Sequence, residues 1–565
     1  MKPKLYSYLF VLAAMIMSPS IALACGGLFC DVGPQMVNQA AEGIIFAKHD
    51  DGNITAVVQV LYEGDSSEFG WIIPVPGVPE VGVSSNIAFT RLQTFTNPTY
   101  QMTTTVEGDC KVGNLFGSAD QSSNKGANNI APNQEGVIVA AEGNVGPYDF
   151  VVIEIPNPEP NGAQVALNWL EDNNYMAPEG TKDLFQAYLS EGMNLLAFKL
   201  TKNSDAGDIR PIIMKYKSDT PMIPIKLTAV AADDEMGVLV WVLGSERALP
   251  SNYKSLEIND SLLNWFNLTS QNYNDVIIRA ANEAGGQGFV TEMSDRTQVL
   301  EDVIYSADEA RQWRDIMSRE YTTPISLLSD IESYLSRLNG NCFDCTPGDV
   351  DGVGIAIENA FPQASGTTRD KLEQCLSCNV NAVDEGFDID RVRNAFNDWV
   401  AEPLKDTQAL IDSQKYFTRL YTTLSAPEMT LDPLFEFNAS LKNVTKQHTA
   451  ERIIECSSSV EQGDAPWRVV LPSGLKVRGF GTTWPIETQD PELPANIIIR
   501  EGGKTKNDVV VDNIGDIRKT LDLRNADITA AGGCGGCSSS ENGSNSPVLF
   551  FLFGLFLFAK TKRKK

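Results

Sequence analysis

Two Cys-x-x-Cys pairs, Cys342 with Cys345 and Cys375 with Cys378, are separated by 29 residues, and whatever joins these four sulfurs covalently fixes the middle of the chain. Three chemistries fit the pattern: a zinc site, a redox dithiol, or structural disulfides. Zinc ribbons usually place about 15–20 residues between their pairs. A redox pair usually opens a helix with a small or basic interior, unlike Phe343-Asp344 or Leu376-Ser377. The compartment decides between them, because disulfides persist where the surroundings are oxidising.

Both ends of the chain point out of the cytoplasm. Residues 1–24 read as a secretory signal: Lys2 and Lys4, nine apolar residues over 9–17, a break at Ser18-Pro19-Ser20, and small residues at Ala22 and Ala24. A membrane span needs about twenty apolar residues, so an anchor is the weaker reading. Cleavage is expected between Ala24 and Cys25, with lipid attachment to Cys25 as the competing outcome. Residues 531–565 hold Gly533-Cys534-Gly535-Gly536-Cys537, a Ser/Asn/Gly stretch, an apolar run over 548–559 and a basic end, Lys560 to Lys565. Twelve apolar residues at about 1.5 Å each fall short of a hydrocarbon core of about 30 Å. This order of parts resembles the myxobacterial-type C-terminal sorting tail (MYXO-CTERM), here with Lys-rich ending. A plain single-span anchor is the alternative. Either way the expected location is the cell surface or outer membrane, and the expected partners are the membrane, through the tail, and the export and sorting machinery.

Lys plus Arg number 45 against 73 Asp plus Glu, a formal charge of −28. Signal and tail together carry seven Lys/Arg and one Glu, so their removal takes the charge to −34. Such a surface repels nucleic acid and anionic lipid. With 42% hydrophobic and 21% charged residues the chain is globular in composition, neither disordered nor polytopic.

Outside the tail the disulfide candidates are Cys25, Cys30, Cys110, Cys342, Cys345, Cys375, Cys378 and Cys456. On a helix, positions i and i+3 share a face. Each CxxC on a helix would then offer two thiols to its neighbour, and a helical hairpin could be cross-linked as Cys342–Cys378 and Cys345–Cys375; the other pairings stay open. Cys25 and Cys30 bracket a short flexible loop, and Cys110 and Cys456 are left to join distant parts.

The fold class is α+β: two β-rich units, 25–265 and 421–530, flank a helical Cys-containing block, 266–420. Strands are expected at 42–48 and 54–62, joined by Asp50-Asp51-Gly52-Asn53, a hairpin signal. Further strands are expected at 69–76, 137–141, 150–155, 195–200, 212–216, 223–229, 238–243, 467–471, 475–480, 497–500 and 509–511. Helices are expected at 163–170, 182–189, 273–284, 308–319, 324–338, 369–378 and 389–420. Residues 112–135 read as a long loop. The prolines after Trp71 cannot donate to a ladder, which sends that strand to a sheet edge.

Chemistry is thinly represented. With only His49 and His448, a triad or His-based metal site has little material. His49 reads as a solvated turn residue and His448 as a surface or helix-start residue. Gly285-Gly-Gln-Gly288 follows a helix and reads as a C-cap, and Asp233-Asp234-Glu235 as a solvated turn. The Asp349–Gly354 stretch lacks the later ligands of a calcium loop. The candidate binding residues are Trp71, Pro74 and Pro76, either a groove beside a rigid segment or a buried Trp with prolines capping an edge.

Three stretches, Cys25-Gly-Gly-Leu-Phe-Cys30, Phe69 to Val81 (FGWIIPVPGVPEV) and Leu420 to Phe437 (LYTTLSAPEMTLDPLFEF), resemble the bacterial family called domain of unknown function 2330. The span from Tyr175 to Leu243 is similar as well. The resemblance implies an exported protein and carries over no catalytic residue. The expected function is therefore an exported, surface-anchored, disulfide-stabilised protein for binding or envelope structure, with no catalytic residue, cofactor or metal ligand assigned and its ligand open. A secreted hydrolase using paired carboxylates, or a cation-binding envelope protein, is the alternative.

Overall fold

The computed structural model describes residues 38–63, 70–109, 138–156, 160–173, 175, 180–200, 209–230, 232–266, 272–340, 342, 344–383, 386–503 and 507–532. The signal sequence, Cys25, Cys30, Cys110, the 112–135 stretch and the Gly533–Cys537 motif with its apolar and basic tail lie outside them. Among the described residues no helix is long and apolar enough to cross a membrane.

The strands of the first half are β1 (Asn38–Lys48), β2 (Asn53–Glu63), β3 (Gly70–Val75), β4 (Glu80–Val83), β5 (Thr99–Glu107), β6 (Ile138–Val145), β7 (Tyr148–Glu154), β8 (Asn194–Leu200), β9 (Ile212–Lys217) and β10 (Ala232–Gly244). Then follow β11 (Ala248–Pro250), β12 (Lys254–Ile258), β13 (Gly288–Arg296), β14 (Tyr416–Leu424), β15 (Phe435–Phe437), β16 (Gln447–Glu455), β17 (Trp467–Val470), β18 (Lys476–Gly479), β19 (Asn496–Arg500) and β20 (Val509–Asp512). Ten of them form one sheet in the order β20-β19-β12-β13-β14-β10-β1-β2-β9-β4. The sequence divisions at 265 and 420 therefore fall within one continuous sheet. Smaller sheets run β3-β8-β7-β6, β18-β17-β16-β5 and β11-β15.

Strand alternation explains the layering, since successive side chains point to opposite faces. Ile45, Ala47, Val57, Trp241 and Phe417 pack under the helical block, against Leu327, Ile331 and Leu404. Ile44, Phe46, Ala56, Val58, Val240 and Leu420 face the other way, onto Trp71, Ile73, Leu196 and Phe198 of the small sheet. The far side of that small sheet, with Ile72, Leu195 and Ala197, is covered by the helices Gly162–Asp172 and Thr181–Ser190. The order is thus helices, ten-stranded sheet, four-stranded sheet, helices. Covering both faces is why the central strands read as near-continuous apolar runs, GIIFA in β1 and GVLVWVLG in β10.

Most expected elements appear, including the β1–β2 hairpin, whose Gly52 takes φ +81° in the turn. Gly285 and Gly286 close the helix Tyr273–Glu283 at φ +83° and +76°. Several expectations are corrected. Residues 223–229 form a turn of helix, Ile225–Thr228, because Pro221 and Pro224 remove the amide donors a strand would need. The helical reading of 389–420 overruns into β14: Phe417 and Leu420, three apart, imitate a helical stripe but lie on opposite faces of the sheet. Asp233-Asp234-Glu235 opens β10, with Glu235 at φ +59° bonded to Asn282, instead of forming a solvated turn. The helix Gly366–Gln374 stops before Cys375, which caps it in extended conformation. Neither CxxC lies along a helix, and each closes on itself, as Cys342–Cys345 and Cys375–Cys378, with Cα–Cα 5.4 Å in both. The hairpin proximity does occur, since Cys345 and Cys375 line the same small hollow beside Glu332. Loops this short constrain the unfolded chain by only about 2 kcal/mol each. Cys456 is also disulfide-bonded; its backbone N–H donates to the Glu107 carbonyl at 2.7 Å, and its sulfur partner lies outside the described residues.

Candidate functional site

The space between the two sheets is incompletely filled. Register sets Ile44 against Val58, Phe46 against Ala56, and Ala56 against Met214. The resulting apolar floor faces Trp71, Ile73 and Val75 of β3, and a cavity of about 320 Å³ lies between them. Met222, Ile223 and Pro224 close one side, and Ser218, Asp219 and Thr220 supply a polar border.

The three sequence-nominated residues Trp71, Pro74 and Pro76 all line this cavity. Trp71 is 7% exposed and packs on Phe198 with ring centroids 5.9 Å apart. It lines a partly open chamber as well as belonging to the core, where the sequence posed a groove against plain core. Pro74 pairs across to Leu195, and β3 is an edge strand, so the missing N–H is tolerated.

Glu42 has the same strand parity as Ile44 and Phe46, so it enters the same chamber. It is 8% exposed, and among the described residues its Oε2 has no hydrogen-bond partner. Burial pushes its carboxyl up to about 7. An unpaired carboxyl in an apolar space is costly in any fold, more so when ionised. Glu42 was expected only as the first residue of a strand. The signal for more was in the sequence: a lone acid at the inward phase of AAEGIIFA.

A second buried cluster is fully engaged. Arg419 on β14 meets Glu292 on β13 at 2.5 Å, their side chains 5% and 1% exposed. A bulge between Thr291 and Met293 turns Glu292 to this side. Tyr273 donates to the second carboxylate oxygen at 2.6 Å. Arg419 also donates to Gln93 O, Thr96 Oγ1 and Asn97 Oδ1, holding the C-terminal end of the helix Asn86–Thr96.

Glu292 also borders a cleft of about 590 Å³ with Asp260, Tyr100 and His448. Asp260 accepts from Ser473 N at 3.0 Å and Ser473 Oγ at 2.6 Å; burial outweighs these bonds and pushes it up to about 6. His448 lies within β16, contrary to its expected surface or helix-start position, and stacks on Tyr100 at 4.9 Å. Burial holds its imidazole below the usual range. His49, expected in solvent, is half-buried and bonded to Thr55 Oγ1 at 2.8 Å. Asp351 of the 349–354 stretch accepts from Ser85 Oγ and Asn86 N at 2.7 and 2.8 Å, and so anchors the start of the helix Asn86–Thr96. Among the described residues no group of three or more His, Cys, Asp or Glu side chains is placed to hold a metal ion.

Comparison with curated proteins and with solved structures returns no match. A family model described as an uncharacterized protein conserved in bacteria, DUF2330, matches residues 19–306. That span includes Glu42, Trp71 and nearly all of the cavity wall; the CxxC pairs and the Leu420 to Phe437 stretch lie beyond it. With half its length matched, the chain belongs to the DUF2330 family of uncharacterised bacterial proteins.

Proposed function

We propose that this protein is exported, held at the cell surface by its C-terminal tail, and binds a small apolar molecule in the chamber between its two sheets. One observation carries the binding reading: a chamber of about 320 Å³ lined by Trp71, Phe46 and Met214 also contains the buried Glu42, unpartnered among the described residues. Its volume is about twice that of a 150 Å³ cavity able to hold benzene. The export reading is supported by the two terminal signals, the finer tail reading by the likeness to the myxobacterial-type sorting signal.

Propylbenzene, a neutral probe, is expected to raise the melting temperature by about 1–3 °C at tenfold excess over Kd. Ala56→Phe, which grows into the chamber from its floor, should abolish that shift. A shift of equal size in both proteins would remove the chamber as the binding site. For export, intact mass and non-reducing peptide mapping of the mature protein should find an N-terminus at Cys25, closed Cys342–Cys345 and Cys375–Cys378 loops, and Cys456 joined to Cys110. A full-length chain with titratable thiols overturns it.

The hydrolase reading has less support. Asp260 and Glu292 border one cleft, but Ser473 holds the first and Arg419 with Tyr273 the second.

A further inference from the structure

We infer that the chamber selects a compact apolar amine, whose ammonium group pairs with Glu42 while its hydrocarbon part lies against Trp71 and Ile73. This rests on the chamber being a binding site and adds the chemical class of the occupant. An apolar occupant alone would leave Glu42 as unpartnered as it is now. An anionic amphiphile would set two negative groups together in a low-dielectric space, inside a chain of net charge −28. An ammonium group supplies the donors and the charge the carboxyl lacks.

Among the described residues no charged side chain is placed against Glu42. β2 turns Ala56 and Val58 into the chamber, β10 has Val238 and Val240 on this face, and β3 contributes Trp71 and Ile73. From β9 comes Tyr216, whose phenol burial pushes far above its usual range, and beyond its end stands Asp219. Lys48, the last residue of β1, six positions beyond Glu42, donates to the Asp219 backbone oxygen. Burial alone accounts for the raised Glu42 carboxyl.

The proton balance gives a signature. Below pH 7 the empty chamber holds Glu42 as the neutral acid, and an incoming ammonium displaces that proton to solvent. Amine affinity should rise about tenfold per pH unit from 5 to 7 and then level. Calorimetry of the mature protein in buffers of differing ionisation enthalpy should find about one proton released per amine at pH 6 and almost none at pH 8.

The probes are 2-phenylethylamine, its neutral isostere propylbenzene, and 3-phenylpropionate. The expected order at pH 7.5 is amine first, by tenfold or more over propylbenzene, with the anion weakest. Glu42→Gln should retain propylbenzene, lose at least tenfold in amine affinity and release no proton. Equal affinity for amine and propylbenzene at every pH, without proton release, overturns the amine assignment and leaves the chamber reading intact. Failure of all three probes, in both wild type and Glu42→Gln, overturns both.

Discussion

Arg419→Met is expected to destabilise the protein by roughly 3–5 kcal/mol, the usual cost of leaving one member of a buried ion pair without its partner. The Arg419 and Glu292 side chains are 5% and 1% exposed, so water cannot replace the lost charge. The loss has a second part, because the guanidinium also ties down Gln93, Thr96 and Asn97 at the end of a helix. In Arg419→Met/Glu292→Leu no charge is stranded, and more than half of the loss should return. Urea denaturation of the wild type, both single variants and the double variant separates the terms. A double variant as unstable as Arg419→Met would show that helix anchoring, rather than the stranded carboxylate, dominates.

Glu42 should make stability fall as pH rises. Its carboxyl is raised from 4.5 to about 7 in the folded state. Between these values the folded protein holds a proton that the unfolded chain has released, so the stabilising contribution is complete below about pH 4.5 and lost by about pH 7. At 1.36 kcal/mol per unit, the change between pH 5 and pH 8 is about 2–3 kcal/mol. Asp260 acts with the same sign, in a lower window that ends near pH 6. The test is therefore the difference between Glu42→Gln and wild type, which cancels Asp260. The variant should gain about 2–3 kcal/mol on the wild type from pH 5 to pH 8, measured by urea denaturation at both values. A constant difference would mean that Glu42 is solvated or paired in solution.

Local chemistry wrote much of the fold into the sequence. The Asp50–Asn53 turn, the glycines after Ala284 and the apolar phases of the helices act over a few residues, and these elements formed where expected. The unexpected elements include β13, β16 and the helix Asn86–Thr96, which mix polar and apolar residues in ways that only their neighbours explain. Glu292 and Arg419 look like ordinary surface charges in FVTEMS and FTRLYT until β13 and β14 pair.

Composition, terminal signals and short-range periodicity thus determined the α+β class, the anionic surface and the nomination of Trp71, Pro74 and Pro76. The tertiary structure alone decided that the nominated residues line one chamber between the sheets, that Glu42 shares it, and that each CxxC closes within itself. The physical reason is range: turns, caps and strand phases are set by adjacent residues. A cavity exists only where strands distant in sequence, such as β1, β3 and β9, come together without filling the space between them.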